Sequence, residues 1–220
     1  MRSGTVYVGK NRLRRAGEKR VWNTINKYTV KCKLVILTFT FICAMSFSQQ
    51  VIPMSTNEGL FPDDVDFLSN PHDTMLNIID NYGAGTYFDY PQQLDKIKSL
   101  LVDDSLSIAD SELTKLTKVK KIILDAGGIY EYNYFKCAFT FNGNGLYYRK
   151  LAGSQRQSGY VYRKDDSHLL FIGGSTVNDD PLTTYDVDNS VVGLLYKKSS
   201  ADYVMLCHEN NHHYILLFSK

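Results

Sequence analysis

The sequence has no hydrophobic run long enough to cross a bilayer. Its longest uncharged stretch, which opens with Leu34 to Met45, stays apolar for about 15 residues, short of the ~20 that a spanning helix needs. Cysteine is sparse as well: of four in the chain, only Cys137 and Cys207 lie beyond the first 48 residues. Both sit in strand-like, core-facing runs, which favours two small buried thiols over a disulfide, although an oxidising compartment would permit the bond. No Gly-x-Ser-x-Gly string occurs, so the strained elbow that presents a hydrolase serine is missing. There is no internal repeat, and no low-complexity segment follows the first 48 residues.

The opening segment is a leader in pattern. Lys31 and Lys33 flank Cys32, the uncharged stretch follows, and Ser46-Phe47-Ser48 places small residues three and one before a cut ahead of Gln49. That order of basic, apolar and small residues is a secretory signal peptide over 31–48. Residues 1–30 are basic without apolar periodicity, and they read as a start assigned too early. Val30 is a candidate initiator. Ten of the 25 Lys/Arg and one of the 23 Asp/Glu fall in residues 1–33, and none of either in 34–48. The remaining 172 residues therefore hold 15 basic and 22 acidic side chains, a net charge of −7. An acidic surface argues against nucleic acid and anionic membranes as partners. An unknown small ligand or an envelope protein remains, with no transmembrane span in the processed form and no cofactor.

The processed chain divides into a helical segment, 49–127, and an antiparallel β-domain, 128–220. In the first, Asn70 can cap a helix opened by Pro71, with Met75, Ile78, Ile79 and Tyr82 on one face and Gly83 at its end. Pro91 opens a second helix carrying Leu94, Ile97 and Leu101. Ser107 and Asp110 resemble a capping box for a third, whose stripe is Leu113, Leu116, Val119 and Ile123. Lys115, Lys118, Lys120 and Lys121 then form its solvated face, and Gly127-Gly128 stops it. Beyond the glycines the period becomes two. Seven segments (129–141, 145–152, 156–163, 167–175, 190–198, 202–208 and 213–219) alternate Tyr, Phe, Leu and Val between turn formers. Within the first, Tyr130, Tyr132 and Tyr134 fall out of phase with Phe135, Cys137, Phe139 and Phe141, which requires a bulge or bend near Tyr134-Phe135. The fold class is α+β, a helical segment beside a barrel-like meander of about seven strands; a two-layer sandwich would show the same strands.

Candidate sites are few. His208-Glu209-Asn210-Asn211-His212 spells a zinc-protease string, but that chemistry needs a helix to put both imidazoles on one face. Here strand patterns flank it, Asn210-Asn211 reads as the hairpin turn, and a hairpin sets His208 opposite His213. Asp179, Asp180, Asp186 and Asp188 share a loop of about 14 residues and are candidate cation ligands, without the spacing of an EF-hand. Gly153-Ser154-Gln155-Arg156, followed by Gly159, cannot cradle phosphate on a helix terminus because no helix follows. Gln155 and Arg156, with Tyr130 and Tyr132, are the candidate ligand-binding residues, at the mouth of the barrel. A hydrolase or cation-dependent enzyme would instead require the loop carboxylates to meet Arg156 or a histidine in one cleft.

Phe135-Lys136-Cys137, Lys150, Gly153-Ser154-Gln155-Arg156, Gly159, Phe171-Ile172-Gly173 and Val192-Gly193 together resemble an uncharacterised family of exported bacterial proteins, known only as a domain of unknown function. The likeness spans about residues 134–220. It implies export and a β-rich ending, and it brings no catalytic residues to transfer.

Overall fold

A computed structural model describes residues 59–83, 91–125, 128–178 and 180–220, all within one compact unit. The leader and Asp179 lie outside the described residues. The chain enters with three helices, α1 (Pro62–Ser69), α2 (Pro71–Gly83) and α3 (Pro91–Leu100), followed by a single turn, α4 (Asp110–Leu113). A proline opens each of the first three, where its missing N–H costs no hydrogen bond and its fixed φ suits the first turn. The expected starts at Pro71 and Pro91 hold, whereas α1 has no counterpart in the sequence reading.

Nine strands follow: β1 (Lys118–Asp125), β2 (Gly128–Glu131), β3 (Phe135–Asn142), β4 (Gly145–Lys150), β5 (Gln155–Arg163), β6 (His168–Val177), β7 (Ser190–Lys197), β8 (Tyr203–Glu209) and β9 (His212–Ser219). Every pairing is antiparallel and β1 also pairs with β9, so eight strands close into a barrel with β2 as an extra strand. Closure removes the open sheet edges that invite aggregation.

The third expected helix is corrected by the structure. It lasts four residues, and the chain from Lys118 is the strand that closes the barrel. Helical spacing of Leu113, Leu116, Val119 and Ile123 was real but accidental. Val119 is buried on the inward face, while Ile122 and Leu124 are buried outward beneath the helices. With both faces covered, the period-two signal disappears. The change of repeat thus falls between Leu113 and Lys118, and Gly128 sits in a hairpin where Asp125 pairs with it.

The expected irregularity near Tyr134-Phe135 is a bulge. Ile122 pairs with Glu131, but Val119 pairs with Phe135. Two residues of β1 therefore face three of the opposite chain, bending it so that β2 and β3 share one edge of β1. The Asn210-Asn211 turn is also as expected: both residues have positive φ, 46° and 66°, and His208 pairs with His213.

Two cores result. The barrel interior holds Val119, Cys137, Phe139, Leu146, Tyr148, Phe171, Met205, Cys207, Leu216 and Phe218. An eight-stranded barrel is just wide enough for such side chains to fill. Ile108, Leu113 and Leu116 join this core at one end. Outside, Phe67, Leu68, Met75, Ile79, Ile97 and Leu101 of the helices pack on Ile122, Val192, Leu194, Val204, Leu206 and Ile215. Strands β7 and β8 are consequently buried on both faces. Cys137 and Cys207 are free and buried.

Candidate functional site at the barrel mouth

Antiparallel alternation puts the β4–β5, β6–β7 and β8–β9 connections at one end of the barrel, away from α4. Period two then decides which side chains face this mouth. Lys121 follows Val119 inward on β1, Lys150 follows Tyr148 on β4, Gln155 and Gln157 point in from β5, and Glu209 and Tyr214 do so from β8 and β9.

Two small cavities open here. One, about 80 Å³, is lined by Lys121, Tyr132, Phe135, Lys150, Gly153, Ser154 and Gln155. The other, about 210 Å³, is lined by Lys121, Ile123, Gln155, Glu209, His212 and Tyr214. Lys121 and Gln155 form the partition, joined by a hydrogen bond of 3.1 Å from Nζ to Oε1. The Lys121 ammonium also lies 3.7 Å from the Tyr214 ring centroid and 3.9 Å from Glu209 Oε2. Lys150 donates to the Gln155 carbonyl at 2.7 Å and sits 4.6 Å from the Phe135 ring centroid. Both lysines are nearly inaccessible, 6 % and 4 % exposed. Burial disfavours the charged form, lowering both amines. The nearby Glu209 opposes that shift at Lys121, while Lys150, with Lys121 close by, falls to about 8.

Gln157 is fully buried, and neither of its amide atoms has a hydrogen-bond partner among the described residues. Such an orphan pair is uncommon in a folded protein and calls for an explanation. It lies two residues deeper than Gln155 on the same inward face.

Of the expected ligand-binding residues, Gln155 lines both cavities and Tyr132 the smaller one. Arg156 belongs to the opposite face of β5, its Nε donating to the Gly153 carbonyl at 3.2 Å. Tyr130 is half exposed on β2 and lines neither cavity. Among the loop carboxylates, Asp186 Oδ1 accepts from the backbone N–H groups of Asp188 and Asn189 and from the Asn189 amide, at 3.0–3.1 Å. Asp180 and Asp188 are exposed, and no group of three metal-ligating side chains gathers among the described residues. Lysines 121 and 150 and Glu209 were missed as site residues. A helical reading places Lys121 on a solvated face, and only its position on β1 turns it inward.

Strand geometry also dismantles the histidine string. His208 faces outward, where it stacks on Phe67 at 5.4 Å, while Glu209 points into the mouth. His208 Nδ1 instead meets His213 Nε2 at 3.1 Å.

A second constellation lies at the opposite end. Ser105 Oγ, His168 and Asp165 stand in the order of a hydrolase triad, with 3.1 Å from Oγ to Nε2 and 2.9 Å from Nδ1 to Asp165 Oδ1. The Asp103 carboxylate, however, is 3.1 Å from the same hydroxyl and 3.3 Å from the same Nε2. A fixed anion there opposes the developing oxyanion that such a triad must stabilise. The group acts as a clasp tying the segment before α4 to the β5–β6 turn.

No curated protein and no solved structure matches the chain significantly. A family model does match residues 88–202, a span beginning upstream of the likeness seen in the sequence and containing every residue of the smaller cavity. By that match the chain belongs to the family described as Domain of unknown function (DUF4893).

Proposed function

We propose that the protein is a non-catalytic binding module, exported to the bacterial envelope, that captures a small anion in the barrel mouth. The observation carrying this reading is the pair of buried ammonium groups, Lys121 and Lys150, lining one cavity. Lys121 has Glu209 at 3.9 Å, whereas Lys150 has no carboxylate within ion-pair distance among the described residues. A buried, unpaired charge is costly to hold, and a bound carboxylate or phosphate would offset that cost. The Gln155 amide, which lines both cavities, supplies a neutral hydrogen-bonding group to the same ligand. Cavities of 80 and 210 Å³ are below the ~300 Å³ usual for a drug-sized molecule, so the ligand is small. Export rests on the leader pattern and on the family resemblance read from the sequence. An enzyme built on the loop carboxylates gains no support, since neither Asp180 nor Asp186 lines either cavity.

The test is titration calorimetry of the full chain with phosphate and with oxalate, repeated on Lys150→Met and Lys121→Met. Saturable binding that weakens at least tenfold in either variant supports the reading. Wild-type affinity in both variants, or no binding to the wild type, rejects it. N-terminal sequencing of cell-envelope and culture fractions tests export separately: a chain beginning at Gln49 is expected, and a retained Met1 rejects it.

A further inference from the structure

The proposed anion site contains a feature that plain anion capture does not require. Lys150 Nζ touches the Phe135 ring on one side and the Gln155 carbonyl on another, with the charges of Lys121, Glu209 and Arg156 acting on it from farther off. Lys121, the second cation of the cavity, is engaged by Gln155 and the Tyr214 ring, with Glu209 Oε2 at 3.9 Å. Gly153 lines the cavity beside Lys150. This residue has φ +91°, and a Cβ there would lie 3.4 Å from Lys150 Nζ and 3.2 Å from the Phe135 ring. A side chain at position 153 would thus be strained by its backbone and tight against the Phe135 ring that flanks the amine.

Resting on the reading of the mouth as an anion site, we propose that Lys150 forms a reversible imine with a small 2-oxo acid, whose carboxylate Lys121 holds. The protonated amine first releases a proton to solvent. Its nitrogen lone pair then adds to the keto carbon, the C–N bond forms, and the carbonyl π pair moves to oxygen, which takes up a proton. Loss of water from this carbinolamine gives the C=N bond, with no net oxidation or reduction. Desolvation is the usual way an enzyme or carrier makes a lysine nucleophilic near neutral pH, and a Lys150 pKa of about 8 leaves a usable neutral fraction. The cavity's size suits a ligand of a few heavy atoms.

The experiment uses the full-length protein with pyruvate and sodium cyanoborohydride, followed by intact mass and peptide mapping. Oxalate binding is measured in parallel, because oxalate carries the carboxylates without a keto group. One reduced adduct per chain on Lys150, suppressed by oxalate and lost in Lys150→Arg while that variant stays folded by circular dichroism, supports the imine. Labelling spread over surface lysines at the rate of Lys150→Arg overturns it. If oxalate still binds in that case, the anion site survives without its covalent step; if oxalate does not bind at all, both readings fall.

Discussion

The Lys121 ammonium lies 3.7 Å from the centre of the Tyr214 ring, inside a barrel whose two strands β1 and β9 close against each other at that point. Leu216, not Tyr214, is the residue paired with Lys121, so the contact is a diagonal one across the seam. It makes barrel closure and the cation of the site one event.

Lys150 couples the site to pH. Its amine has a folded-state pKa of about 8, against 10.5 for the free side chain, chiefly because burial penalises the charge. Below pH 8 both states are protonated and the penalty is fully felt. Between 8 and 10.5 the unfolded chain holds the extra proton, so stability rises with pH. Relative to Lys150→Met, wild type is expected to gain up to about 3 kcal/mol across that window. Urea unfolding at pH 7.5 and 10.5 measures it, and parallel curves for the two proteins would contradict the buried amine.

The His208–His213 pair works at the acid side. Burial, followed by the neighbouring His208 and His212, lowers His213 to about 4; burial lowers His208 as well, against the pull of Asp64. Between pH 6.5 and 4 the unfolded chain binds protons that the folded pair resists, so stability falls as pH falls. Replacing His213 with Gln is expected to remove up to about 3 kcal/mol of that acid loss. Thermal melts from pH 7 to 4 show this as a shallower decline in the variant.

Tyr185 fastens the long β6–β7 loop to α1. Its hydroxyl donates to Asp64 Oδ2 at 2.5 Å and accepts the Phe61 N–H at 2.7 Å, and Asp64 is 2 % exposed. Tyr185→Phe leaves the buried carboxylate without its donor, at an expected cost of about 2–3 kcal/mol. Adding Asp64→Asn should recover part of that loss. A denaturant-derived double-mutant cycle with no coupling between the two positions would reject the linkage.

Gly159 and Gly173 face each other across β5 and β6. A Cβ on Gly159 would sit 2.3 Å from the Ile172 carbonyl oxygen, and one on Gly173 would sit 2.2 Å from that of Ser158. These are backbone atoms that cannot swing aside. Gly159→Ala is expected to cost about 3 kcal/mol, read from the urea midpoint. Gly143→Ala, with nothing within 4 Å, serves as the neutral comparison.

Much of the architecture was legible in local chemistry. Prolines marked two helix starts, Asn210-Asn211 marked a turn that demands positive φ, and the phase slip from Tyr134 to Phe135 marked a bulge; each signal acts within a few residues. Seven strand segments were visible because alternating aromatic and aliphatic residues report a half-buried ladder. The first strand hid because helices cover its outer face and a lysine stands among its inward residues, so neither face repeats cleanly.

The sequence by itself determined where the chain turns, which segments extend, and that the Gly-Ser-Gln-Arg string stands at a strand entry. Only the tertiary structure decided that Lys121 points inward, that Lys150 and Gln155 meet it, and that Glu209 leaves the histidine string to join them. The reason is physical: a side chain's direction along a strand follows from register, and register is fixed by partners distant in sequence, here β9 closing on β1.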